Sequence, residues 1–122
     1  DDIRLTIKMI EELLPDDLGI SVSYPLPGTG FYEKVKHDLK VKSNWTDSDE
    51  LALMFRNTYS PAFYKQLHRY IHKLYRQKKA EALVRANVAN IKTRFALPFY
   101  TLAAKRHLFK LKRTEPHANL GL

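Results

Sequence analysis

Leu18-Gly19-Ile20-Ser21-Val22-Ser23-Tyr24-Pro25-Leu26-Pro27-Gly28-Thr29-Gly30 is the stretch on which the fold turns. Leu18, Ile20, Val22 and Tyr24 alternate with Gly19, Ser21 and Ser23. That is the two-residue period of a strand with one bulky face and one small face. Pro25 and Pro27 cannot donate to a ladder and so close it. Upstream, Ile3, Ile7, Ile10 and Leu14, with Leu13 beside them, recur at helical spacing over residues 2–14. Asp1 or Asp2 suits the cap of this helix and the positive end of its dipole. Pro15 ends it, because a residue before proline is pushed out of the helical region. Helix, Pro15-Asp16-Asp17 connection and strand together make the αβ half of a βαβ repeat.

One strand is not a sheet. The other strand candidates, Val41–Trp45 and Leu51–Phe55, are weak. A helix that feeds a strand through a short connection normally joins a parallel sheet whose earlier strands lie upstream. The expectation is therefore the C-terminal piece of a longer α/β protein, against the alternative of a small α+β domain with a minor two-stranded sheet. In a parallel barrel the bulky face packs on the outer helices. Gly19, Ser21 and Ser23 would then face an interior that ordinary barrels fill with large side chains, leaving room for a ligand. In the turn that follows, Gly28 and Gly30 permit positive φ or close approach of a ligand. Thr29 is placed to cap a helix over Gly30–Leu39, with Glu33 at a capping-type spacing. The glycine spacing is not that of a P-loop.

The second half reads as helices. Ser60 and Pro61 are a cap and a first helical residue. The helix runs to about Ala86 with an apolar stripe of Phe63, Leu67, Tyr70, Ile71 and Leu74, and Ala82 further on. Its basic stripe holds Lys65, Arg69, Arg76 and Lys79, flanked by Lys73 and Lys78. Pro98 is expected to open a last helix to Arg113, in which Phe99, Leu102, Ala103, Leu108, Phe109 and Leu111 mix with Lys105, Arg106, Lys110, Lys112 and Arg113. Residues 114–122 read as a frayed tail.

The charge is unevenly spread. Residues 1–60 carry 7 Lys/Arg against 11 Asp/Glu, and residues 61–122 carry 14 against 2. A basic half can meet phosphates or an anionic membrane surface. Nucleic acid is disfavoured, since no recognised binding motif is present and the acidic half repels phosphate. Asp47, Asp49 and Glu50, behind Thr46 and Ser48, read as a helix start before they read as paired catalytic carboxylates. His68 and His72, four apart, share a helix face, but no H-E-x-x-H exists and Arg69 and Lys73 stand beside them, so solvated helix histidines are expected. His37, His107 and His117 have no triad-like neighbours. Asn44-Trp45-Thr46 matches a glycosylation sequon by chance.

With 122 residues the chain is sized for one domain, and 44% apolar against 28% charged residues is a globular composition. The absence of cysteine excludes disulfides, thiolate zinc sites, a cysteine nucleophile and thiolate-held iron–sulfur clusters within this chain. No run of apolar residues is long enough to span a bilayer. The chain opens at Asp1 with no basic-then-apolar leader, which sets the expectation of a cytoplasmic piece of a larger protein, with a peripheral membrane association left open.

The ordered series from Pro15 to Tyr32 resembles the end of the radical S-adenosylmethionine core. It is similar to the cobalamin-binding-domain class, which includes anaerobic magnesium-protoporphyrin IX monomethyl ester cyclase-like proteins. Asp2-Ile3-Arg4-Leu5-Thr6-Ile7 fits the D-x-x-x-T-I pattern of the helix before the sixth barrel strand, and the strand runs into a P-x-P-G-T turn. Asn44-Trp45-Thr46-Asp47-Ser48-Asp49, Met54-Phe55-Arg56 and Thr58-Tyr59-Ser60 are similar to the C-terminal extension of the class. The resemblance covers about residues 2–76, while the C-x-x-x-C-x-x-C motif, the first five strands and the glycine-rich cofactor segment are missing.

The resulting expectation is an α+β chain, mostly helical. Residues 1–40 form the last helix–strand unit of a radical SAM barrel and the helix after it, and residues 41–122 form a helical C-terminal extension. The resemblance implies S-adenosylmethionine, a [4Fe-4S] cluster and, for the class, cobalamin in the parent, none of them held by this chain alone. It makes Ser21, Ser23, Tyr24 and Pro25 the cofactor-proximal candidates, with no catalytic or metal residue. Its implied partners are the upstream barrel and cobalamin-binding domain, and residues 98–113 offer an anionic membrane surface as the alternative.

Overall fold

Serine 60 and proline 61 start the longest element as their chemistry requires. The Ser60 hydroxyl accepts the Phe63 N–H at 3.2 Å, and Pro61 occupies the first turn, where no N–H is needed. The computed structural model describes residues 2–22, 25–38 and 59–116. Within them the elements are α1 (Asp2–Leu13), α2 (Gly30–Val35), a 3₁₀ turn (Lys36–Asp38), α3 (Pro61–Arg85) and α4 (Ile91–Thr114).

α3 and α4 form an antiparallel hairpin, and the turn between them is built from specific bonds. Asn87 takes a left-handed φ of 58°. Its N–H donates to the Val84 carbonyl at 3.0 Å, and the Val88 N–H donates to Leu83 at 3.1 Å. This pair of bonds closes a helix when the residue past its cap is left-handed, a position that asparagine tolerates. The Arg94 guanidinium then donates to Asn87 Oδ1 at 2.7 Å, and its Nε to the Ala89 carbonyl at 3.3 Å. Asn90 Oδ1 accepts the Thr93 N–H at 2.8 Å and caps α4.

α4 therefore begins at Ile91, seven residues before the expected start at Pro98, which lies inside the helix. Proline there leaves the Arg94 carbonyl without its helical donor. The Asn90 cap and the Arg94 tie hold the turns before it. At the open end of the hairpin the Ser60 N–H donates to Glu115 Oε1 at 3.1 Å, so the two helices are fastened at both ends.

The α3 stripe is buried as expected at Phe63, Leu67, Tyr70, Ile71 and Leu74, with Gln66, Tyr75 and Ala80 added; Ala82 is only half-buried. α4 contributes Leu111 and Ala104, with Leu108 partly covered. Ile7 and Ile10 of α1 join the same cluster, so residues assigned to separate units at 1–40 and 41–122 share one core. α1 ends at Leu13. Leu14 follows with φ 41° and donates to Ile10 at 3.1 Å, and Pro15 blocks continuation. The turn at Leu26–Thr29 has Pro27 second and Gly28 third with φ 84°, closed by Thr29 N–H to Leu26 at 3.1 Å. Those are the residues a type II turn requires. Thr29 caps α2 through the Tyr32 N–H at 3.2 Å, as expected. Glu33 does not complete a capping box, because it sits one residue too late and pairs with Lys36 at 2.6 Å.

The α+β expectation is not met. The described residues are helical or irregular, with no strand among them. Residues 18–22 keep their alternation only as burial: Leu18, Ile20 and Val22 are partly covered, Gly19 and Ser21 exposed. A strand exists by pairing, and among the described residues no backbone bond joins 18–22 to another segment. Val41–Trp45, Leu51–Phe55, the Asp47–Glu50 cluster and the Asn44 sequon lie outside the described residues.

Candidate functional site

The cofactor-proximal candidates follow the strand-like segment. Ser21 is exposed beside exposed Gly19, and a Cβ added at Gly19 would meet nothing within 4 Å. Pro25 is buried, tucking the start of the turn inward. Ser23 and Tyr24 lie outside the described residues. Leu18 and Ile20 pack on the helical core. The segment thus offers one covered apolar face and one open face that carries a hydroxyl.

What holds this segment in place is a polar knot that the sequence did not reveal. Tyr75 Oη donates toward the Pro15 and Asp16 carbonyls, at 2.7 and 2.9 Å. Lys79 Nζ donates to the same two carbonyls at 3.1 and 2.6 Å and to Tyr75 Oη at 3.0 Å. The hydrogen bond to Tyr75 holds the Lys79 ammonium above the ordinary lysine range, helped by Asp16 and Asp17 against desolvation. Lys78 reaches Glu11 of α1 at 3.3 Å. Lys79 of the expected basic stripe and Lys78 beside it are therefore spent on fastening α1 and its connection to α3.

The histidines are also committed. His68 and His72 bring their Nε2 atoms to 3.1 Å, both partly buried rather than solvated. Such a bond needs one ring to donate and the other to accept. Burial lowers the His72 pKa first, and His68, Arg76 and Lys73 add to this against an opposing effect from Asp17. Two nitrogens fall short of a metal site, and among the described residues no group of three His, Cys, Asp or Glu side chains is placed to hold an ion. Buried Gln66 donates to the His107 carbonyl at 3.0 Å and faces His107 Nδ1 at 2.8 Å. That contact needs His107 neutral with Nδ1 accepting. Burial, followed by Lys110, Lys73, Arg69 and Arg106, accordingly lowers its pKa. The only signals for these groups in the sequence were Tyr75 next to the α3 stripe and Gln66 one position before Leu67.

Three large apolar residues of α1, namely Leu5, Met9 and Leu13, face solvent at 52%, 52% and 70% exposure on a side away from Ile7 and Ile10. Among the described residues no helix is long and apolar enough to cross a membrane. The chain matches no protein-family model, no curated protein and no solved structure.

Proposed function

We propose that this chain is a C-terminal segment of a radical S-adenosylmethionine enzyme, in which α1 and residues 18–25 complete the barrel and the α3–α4 hairpin braces them from outside. The observation that carries the reading is the half-packed Leu18–Val22 segment: Leu18 and Ile20 pack on the helical core, Gly19 and Ser21 are exposed, and no backbone bond joins it to another of the described segments. A barrel strand has those two faces, and a neighbouring strand would satisfy its backbone groups. The second apolar face of α1 agrees, because a barrel helix touches adjacent helices as well as the sheet beneath it.

A [4Fe-4S] cluster needs thiolates that this chain does not carry, so the cluster belongs to the upstream part of the parent. S-adenosylmethionine needs space and polar lining, and the open face at Gly19 and Ser21 fits one flank of it. In the parent, cluster and cofactor together supply reductive cleavage of S-adenosylmethionine. The role of this chain is to close the barrel, offer the Ser21 hydroxyl and keep water from the strand's covered face.

The coding sequence upstream of Asp1 tests the reading. It is expected to contain, in frame, a C-x-x-x-C-x-x-C motif about 150–200 residues earlier. In that longer protein the amides of Gly19–Val22 exchange more slowly than in the 122-residue chain. A start codon immediately before Asp1 with no partner frame nearby, or equal exchange in both forms, refutes it.

A further inference from the structure

The outer face of α4 carries a line of exposed apolar side chains that no other described element covers. Ile91, Phe95, Phe99, Leu102 and Phe109 recur at intervals of three, four and seven residues and are 63–72% exposed. The opposite side of the helix holds Ala104 and Leu111, which pack into the hairpin. Exposure is therefore not a sign of a poorly folded helix: one seam is docked and the other is bare.

The charges identify the occupant. α4 carries seven Lys/Arg and no Asp or Glu. Lys92, Lys105 and Lys110 stand along the margins of the stripe. Arg106 and Arg113 fall within its second half, where the Arg113 guanidinium lies 5.7 Å from the Phe109 ring centre. Aromatic and aliphatic side chains along one line, long cationic side chains beside them and, in the second half, among them, and no anion on the helix match a helix lying in the plane of an anionic bilayer surface. The helix does not qualify as a membrane span, so it would lie on the membrane and not cross it. Nucleic acid fits less well, because a phosphate backbone gains nothing from five exposed apolar side chains.

We infer that α4 docks the chain on anionic lipid surfaces, its Phe95–Phe99–Leu102 centre inserted at the acyl boundary and its lysines and arginines at the headgroups. This stands on α4 alone and does not require the barrel assignment.

Co-sedimentation of the full 122-residue chain with vesicles tests it. Binding is expected to vesicles of phosphatidylcholine and phosphatidylserine at about 3:1, to fall with added salt, and to be weak on phosphatidylcholine alone. Phe95→Ser with Phe99→Ser is expected to lower the partition coefficient about tenfold or more, and Lys105→Gln with Lys110→Gln to remove most of the preference for phosphatidylserine. Both pairs are exposed, so the variants should keep wild-type helicity by circular dichroism. Equal binding by the Phe variant and wild type, or no binding to either vesicle, overturns the inference. So does a chain that binds no vesicle but self-associates through the same phenylalanines, since the occupant would then be a second copy.

Discussion

The α3–α4 hairpin and the N-terminal unit of α1 with residues 14–22 are held by different means. The hairpin satisfies its own termini. Ser60 and Asn90 cap its helices, Asn87 closes the turn, and Glu115 returns to Ser60. Its core includes Phe63 and Leu111, both with 0% exposure. The N-terminal unit contributes two buried isoleucines, with Ile3, Leu18 and Ile20 partly buried against the same core, and is tethered by Tyr75, Lys79 and Lys78 from the other side. The first region closes its own helix ends, while the second, among the described residues, is held only on the face that meets α3. Local closure fixes the hairpin at both of its ends, while the N-terminal unit depends on contacts made from α3.

This contrast can be broken most severely from the hairpin side. Phe63→Ala is expected to cost about 3–5 kcal/mol, seen as a large drop in the urea midpoint with every probe moving together. A loss below about 1 kcal/mol would mean the core is not centred where Phe63 lies. Ile10→Ala should cost less, about 2 kcal/mol at the low end for such truncations. Hydrogen exchange should show α1 amides losing protection while those of α3 keep theirs. Uniform loss would show that the two regions unfold as one. Tyr75→Phe removes one hydroxyl from the polar knot and leaves Lys79 on the same carbonyls, so about 0.5–1.5 kcal/mol is expected, again concentrated in α1 exchange.

The smallest effect is one of pH. His72 and His107 both sit below the ordinary histidine value when folded. On acidification the unfolded chain takes up these protons first. Stability is thus full above about pH 6.5 and declines as pH falls toward the lowered folded values. Both residues are only partly buried, so the slope should be shallow. His107→Asn keeps an acceptor for Gln66 and removes the titration, and it is expected to flatten part of the profile in urea midpoints. An unchanged profile would remove His107 from the account.

What was legible follows from locality. The start of α3 could be read because Ser60 and Pro61 are adjacent to the stripe they introduce. The start of α4 could not, because Pro98 mimics a first helical residue, while the true start depends on Asn90 and on an Arg94 bond across the turn. Residues 18–22 could be read as two-faced, and their burial alternates accordingly. Their pairing could not, since a ladder depends on a second segment elsewhere. Among the candidate positions, Ser21 lies on the open face and Pro25 is buried. The Tyr75–Lys79 knot was invisible because it exists only once α1 and α3 have met.

The bond between Ser60 and Glu115 has one more consequence. It brings the start and the end of the hairpin to the same corner, joined through the Glu115 side chain. Geometrically, residues added at the far turn, around Asn87, would lengthen the hairpin and leave that corner where it is.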